Sequence, residues 1–240
     1  MIQVDELLYE TFVLRLEKES RFDSASIPLE NRLLYLNQAQ IQLIKSYYGE
    51  NNLYKLGFEA FKKRIDDLQI LVVSEEKIIV KQVKPITKYN KWTADLTQPS
   101  NYMLYIQSYC TASLGKCKDR LVYNNLIERS DIDTYFKSAY NIPSFEWQEQ
   151  VATIANNKLE VYTDGTYSLG YVYLDYIKYP PKIDKEGYIG FNGLPSINQN
   201  SILPEYLKND LINITCGIVA SSLEDNAQVQ LAEKNKKDNE

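Results

Sequence analysis

The 240-residue sequence contains no histidine. Without an imidazole there is no Ser-His-Asp or Cys-His nucleophile, no histidine general base and no His-ligated zinc. Cysteine is nearly absent as well. Cys110, Cys117 and Cys216 are too few and too scattered for a disulfide scaffold or a structural metal site. They read as buried structural thiols in a reducing compartment, with Cys110 and Cys117 placed to face each other across a hairpin turn. Glycine-rich phosphate loops of the G-x-x-x-x-G-K-[ST] or G-x-G-x-x-G kind are missing. No apolar run approaches the ~18 residues of a membrane-spanning helix. The opening MIQVDELLYETFVLRLEKES mixes acids and bases into its apolar residues, unlike a secretion signal. A basic excess is also lacking: 27 Lys and Arg against 32 Asp and Glu leave a net charge of −5, the wrong balance for a clamp on duplex DNA.

What the chain has in quantity is tyrosine, twenty residues against seven phenylalanines and two tryptophans. Tyrosine pairs an apolar ring with a polar tip, which suits half-buried strands and protein–protein contacts. Lys, Asn and Ile are abundant alongside it, so the tyrosines fit either A/T-rich coding of a strand-rich protein or an interface. Hydrophobic residues at 44% are enough for a sizeable core.

Apolar spacing predicts three helices first. Val4–Lys18 carries Val4, Leu8 and Phe12 on one face. The second helix follows Ser26 as N-cap and Pro28 in its first turn. Leu29, Leu33, Leu36, Ala39 or Gln40, Leu43 and Tyr47 form its stripe, and Gly49 stops it. The third covers Leu53–Leu71. Near Val72 the period changes from 3.6 to 2. Strands are expected at Lys77–Val83, ended by Pro85, at Tyr102–Cys110 and at Lys116–Ile127. A short helix begins at Asp131 behind Ser130. Further strands, Glu149–Ile154 and Lys158–Tyr162, flank an Asn156-Asn157 turn, and Tyr167–Tyr179 follows an Asp164-Gly165 turn. Pro204 opens a last helix with Leu207, Leu211, Ile214 and Ile218 on its apolar side.

This order predicts an α+β fold: an N-terminal helical bundle joined by a C-terminal helix, with an inserted antiparallel β-meander domain of about five or six strands. The expected division is 1–72 helical, 73–200 β-domain with a short helix, 201–224 a C-terminal helix packing on the first helices, and 225–240 a polar, mobile or partner-ordered tail.

Carboxylates gather at Asp66-Asp67, at Glu128, Asp131 and Asp133, and at Glu146 and Glu149. The middle group could hold magnesium or act as an acid/base pair, but Ser130-Asp131-Ile132-Asp133 also has the composition of a helix start. Lys178, Lys182 and Lys185 are offset by Asp184 and Glu186. No catalytic, cofactor-binding or metal-ligating residue is therefore assigned, and no cofactor.

The order of several short motifs resembles that of a known family. Leu36-Asn37-Gln38-Ala39-Gln40 is similar to the "LNxAQ" helix of head-to-tail connector proteins (adaptor, ring or tail-tubular proteins) of short-tailed phages. Phe58-Glu59-Ala60-Phe61 and Asp66–Val72 resemble the family's next helix, and Pro99-Ser100-Asn101-Tyr102 its "LPxDY" strand entry. Gly170–Ile183, with Tyr176-Ile177 before Pro180-Pro181 and Ile183, is similar to the last long strand, "xYIxxPxxI". Leu203-Pro204-Glu205-Tyr206-Leu207 through Ile218 resembles the closing helix, "LPEYLxxxIxxxA". A ring protein of a crAss-like phage is the narrower form of the resemblance. Val4–Lys18 and the polar tail have no family counterpart.

The resemblance implies a structural virion protein at the tail vertex, assembled in the bacterial host cytoplasm and without enzymatic activity. It implies a closed ring of about twelve copies below the portal protein, touching neighbouring tail rings. Double-stranded DNA would pass through its channel without specific binding, and no membrane would be involved. Candidate interface residues are Pro204, Tyr206 and Leu207 on the last helix, and Tyr171, Tyr173, Tyr176 and Tyr179 on the last strand. Two other readings are compatible with the sequence: an interaction or assembly-chaperone protein outside any virion, and a carboxylate or magnesium enzyme built on Glu128, Asp131 and Asp133.

Overall fold

In the computed structural model, which describes residues 1–19, 27–48, 67–83, 89–138, 141–190 and 193–222, the chain divides into two units. One comprises Met1–Leu71 with Pro180–Glu240, the other Val72–Tyr179. Residues 180–200 thus belong with the helices.

The second unit is a closed barrel of seven strands: β1 (Val72–Val83), β2 (Asn90–Asp95), β3 (Tyr102–Leu114), β4 (Cys117–Leu126), β5 (Glu149–Ala155), β6 (Lys158–Thr163) and β7 (Ser168–Lys178). Around the barrel the order is β1-β2-β6-β5-β4-β3-β7. The expected helical bundle with an inserted antiparallel meander is therefore incorrect. A meander pairs neighbours in sequence, whereas β7 lies between β3 and β1 and hydrogen-bonds to both, which closes the sheet on itself. β4 and β5 run parallel, so the chain must cross over between them. Ile127–Gln148 makes that crossover, with a 3₁₀ turn at Arg129–Asp131 and the short α3 (Ile132–Tyr135).

Local turn chemistry supports the antiparallel pairs. β5 and β6 are joined by Asn156 and Asn157 at φ +53° and +57°, a conformation asparagine tolerates. β3 and β4 turn at Gly115-Lys116, with Gly115 at φ +59°.

Alternate residues point inward and fill the barrel: Ile78 and Val80, Val122, Leu159 and Val161, and Val172 and Leu174 are all buried there. Polar side chains join them in a connected chain. Asn124 Nδ2 donates to Ser108 Oγ at 2.6 Å, Gln150 Nε2 to Asn124 Oδ1 at 2.7 Å, and Tyr167 Oη to Gln150 Oε1 at 3.4 Å. Cys110 lies beside Asn124, and burial pushes its thiol up to about 12, so it stays protonated and inert. It pairs across the ladder with Val122, whereas the exposed Cys117 pairs with Leu114. The two thiols do not face each other, and Cys117 is not a buried one; Cys216 is buried.

In the helical unit, α1 (Val4–Leu8) continues in wider π-type turns over Tyr9–Glu19. α2 (Leu29–Tyr48) buries Leu33, Leu36, Ala39, Gln40, Leu43 and Ile44. That stripe packs on α4 (Lys208–Ser222), which buries Leu211, Ile212, Thr215, Cys216 and Val219. Lys208 Nζ reaches Glu6 at 2.7 Å and Glu10 at 3.0 Å, and these two carboxylates hold its pKa above the usual lysine range.

Of the third expected helix, 53–66 lie outside the described residues; Asp67 and Leu68 are helical and Gln69–Leu71 form a 3₁₀ turn. Ser26, Gly49, Pro85, Phe58–Phe61, Asp66 and the 225–240 tail also lie outside the described residues.

Candidate interaction surfaces

Glu128, Asp131 and Asp133 are exposed at the start of the crossover, where Ser130 Oγ donates to Asp131. Among the described residues no three His, Cys, Asp or Glu side chains come close enough to hold a metal ion. Nor is any helix among them long and apolar enough to cross a membrane.

Two motifs far apart in sequence meet in the helical unit. Asn37 Oδ1 accepts the N–H of Ile183 at 2.8 Å, and Asn37 Nδ2 donates to the Ile183 carbonyl at 2.8 Å. One turn on, Gln40 Nε2 donates to the Pro181 carbonyl at 3.1 Å while its Oε1 accepts from Ser201 Oγ at 2.8 Å. The two amides sit three residues apart, so both project from the same side of α2. They grip the segment that follows the last strand, where the buried Ile183 has no strand ladder to satisfy its backbone.

A second site lies on the outer wall of the barrel. Glu160, almost fully buried, receives Lys91 at 3.0 Å, Arg129 at 3.1 Å and the Tyr162 hydroxyl at 3.0 Å. Burial opposes its ionisation, but Lys91, Tyr162 and Arg129 outweigh that and hold the carboxyl below its usual range. A depressed folded-state pKa stabilises the fold above the unfolded value, and this contribution is lost as pH falls through the folded value. Glu160→Gln is expected to cost about 1–2 kcal/mol near neutral pH and to flatten the acid side of the stability profile. Urea midpoints of both proteins at neutral and acidic pH measure this; parallel profiles would refute it.

A band of aromatic and aliphatic side chains lies exposed on the outside of four adjacent strands. Tyr123, Tyr109, Tyr173 and Lys77 lie opposite one another across β4, β3, β7 and β1. Tyr171 faces Ile79 on the same wall. The rings of Tyr109 and Tyr173 stack with centroids 5.3 Å apart, and Tyr123 lies 6.1 Å from Tyr109. Lys77 Nζ sits 3.7 Å above the Tyr171 ring. Ile79 is 58% exposed and Tyr123 55%, and beside Tyr123 the turn before β5 presents Trp147, 81% exposed.

A bulge in β1 holds the band in place. Glu75, at φ +60°, donates its N–H to Asp175 and accepts the Tyr109 hydroxyl at 2.9 Å. Partial burial and the adjacent Glu75 carboxylate push that hydroxyl up to about 12.

A second apolar surface is an arm in the helical unit, described over residues 184–190 and 193–199 and bridged at Asp184–Gln199 and Ile189–Pro195. Asp184 accepts the Tyr188 hydroxyl at 2.7 Å and the Lys185 N–H at 2.8 Å, which braces the base. Ile189, Leu194 and Ile197 are 73%, 62% and 64% exposed.

Among the interface residues expected from sequence, Tyr171 and Tyr173 lie in the band, Tyr179 is exposed just beyond β7, and Tyr206 is exposed in the 3₁₀ turn Glu205–Leu207 preceded by the half-buried Pro204. Tyr176 and Leu207 are not surface residues. Tyr176 points into the barrel with its hydroxyl on Asn101 at 2.8 Å, and Leu207 is buried in the helical unit. Tyr109, Tyr123, Trp147, Ile79 and the arm were not singled out from sequence. The uncharged run Gly187–Pro204 was a readable signal for the arm.

What the fold and these surfaces define is a chain with a closed barrel, a helical unit and two dissimilar exposed apolar surfaces. Compared with known proteins, the sequence matches no family model and no curated protein.

Proposed function

We propose that this chain is a non-enzymatic structural subunit of a head-to-tail connector in a short-tailed phage, forming a ring below the portal protein and continuing its DNA channel. One observation carries the reading: the chain exposes two apolar surfaces of different shape, the band and the arm. A ring is built from head-to-tail contacts, and each subunit then needs two unlike, complementary faces. Exposed tryptophan, tyrosine and isoleucine in one patch is also the composition of interface centres. The net charge of −5 fits a conduit through which DNA slides without being held.

The motif order that resembles the connector family supports the same reading, since its "LNxAQ"-like and "xYIxxPxxI"-like segments grip each other through Asn37, Gln40, Pro181 and Ile183. The test is to mix the purified chain with the portal protein of the same source and image the product. Rings of about twelve subunits seated on the portal are expected. Absence of binding, together with absence of the chain from purified particles, would overturn the proposal.

A further inference from the structure

The exposed arm and the exposed tyrosine band have properties that suit them to each other. The barrel is closed and the band lies on its outer wall, so a partner engages the band by side-chain contact. That wall is preorganised: Tyr109 is fixed by Glu75 and stacked on Tyr173, and Lys77 covers Tyr171. Little side-chain freedom is then left to lose on docking. The arm is likewise braced from its base by Asp184.

Charge points the same way. From Gly187 to Pro204 the sequence carries no charged residue, so beyond its base at Asp184–Glu186 the arm brings no charge to be desolvated. On the band, Glu75 and Lys77 already have partners in Tyr109 and Tyr171. The band with Trp147 exposes on the order of 600 Å², near the ~800 Å² per partner of a standard interface.

We infer that the occupant of the band is a second copy of this chain, whose arm lays Ile189, Leu194 and Ile197 across Tyr123, Tyr171 and Ile79. The inference rests on the reading that the chain assembles with itself, and it specifies which surfaces meet. The contact is head-to-tail: each copy gives an arm to one neighbour and a band to the other.

Two full-length double variants test it, both altered only at exposed positions and checked for folding by circular dichroism: Ile189→Asp/Ile197→Asp in the arm and Ile79→Asp/Tyr171→Asp in the band. Sedimentation equilibrium from micromolar to millimolar concentration is expected to show association of the wild type, weakened at least about a hundredfold in either variant. An equimolar mixture of the variants retains one intact arm and one intact band. It is expected to form heterodimers and nothing larger.

A wild type that stays monomeric to millimolar concentration, variants that associate like the wild type, or a mixture that does not pair would each overturn the inference. The last outcome would mean a self-complementary contact or a foreign partner on the band. Failure of the connector reading is distinguishable. If both variants still form rings on the portal, that reading stands and this contact falls. If the variants pair in the mixture but the wild type never binds portal and is absent from purified particles, the contact stands and the connector reading falls.

Discussion

Asn37→Ala is expected to destabilise the chain by about 2–4 kcal/mol, among the largest effects of any single polar substitution here. Asn37 satisfies both the N–H and the carbonyl of Ile183, each at 2.8 Å, and Ile183 is itself buried. Alanine removes the donor and the acceptor together and leaves two backbone groups desolvated without partners. Each such group costs about 1–3 kcal/mol, partly recovered where water can enter. Asn37→Asp keeps the acceptor for the Ile183 N–H but sets a carboxylate against the Ile183 carbonyl, so it does not rescue. Scanning calorimetry should show the transition lowered by roughly 5–10 °C. An unchanged transition would mean that Ile183 is not held by Asn37 in solution.

Leu174→Ala is expected to cost about 3–4 kcal/mol, while Tyr173→Ala next to it costs less than about 1 kcal/mol. Leu174 is completely buried in the barrel, against Ile78, Val122 and Val172 in the same cluster, and truncation leaves a cavity that a closed sheet cannot collapse around. Tyr173 points outward and is only half-buried on the band. Denaturant midpoints of the two variants measure the contrast. Similar losses would show that the wall of β7 is turned the other way from that described.

The helices and turns were the legible part. Leu33, Leu36, Ala39, Gln40 and Leu43 recur at helical spacing, and the structure buries that stripe. The Asn156-Asn157 turn was readable because few residues accept its backbone conformation. Strand β2 was missed: Asn90–Asp95 is only six residues long, and its alternation around Trp92 and Ala94 is too brief to stand out.

The candidate site was harder to read because bulges break the alternation on which a sequence reading of strands depends. On β3, Tyr105 points inward and Tyr109 outward, although they are four residues apart and would share a face in a regular strand. The register shift between Tyr105 and Gln107 exchanges the faces. On β7, Gly170 and Tyr171 together oppose Thr111, where a Cβ on Gly170 would come within 2.9 Å of the Thr111 hydroxyl oxygen. Beyond that bulge the alternation is regular: Val172, Leu174 and Tyr176 point inward, and Tyr171 and Tyr173 outward. The faces of Tyr109 and Tyr171 are thus set by backbone irregularities, not by residue type.

Local chemistry along the chain sufficed for where helices and tight turns form, for the absence of imidazole chemistry, and for the charge that disfavours a DNA clamp, because each depends on residues close in sequence or on composition alone. Closure of the barrel, the parallel β4–β5 pair, the grip of Asn37 on Ile183 and the gathering of Tyr123, Tyr109 and Tyr173 were decided by the folded chain. These depend on pairings between segments tens to more than a hundred residues apart, and such pairings follow from strand register and packing that no single stretch of sequence encodes.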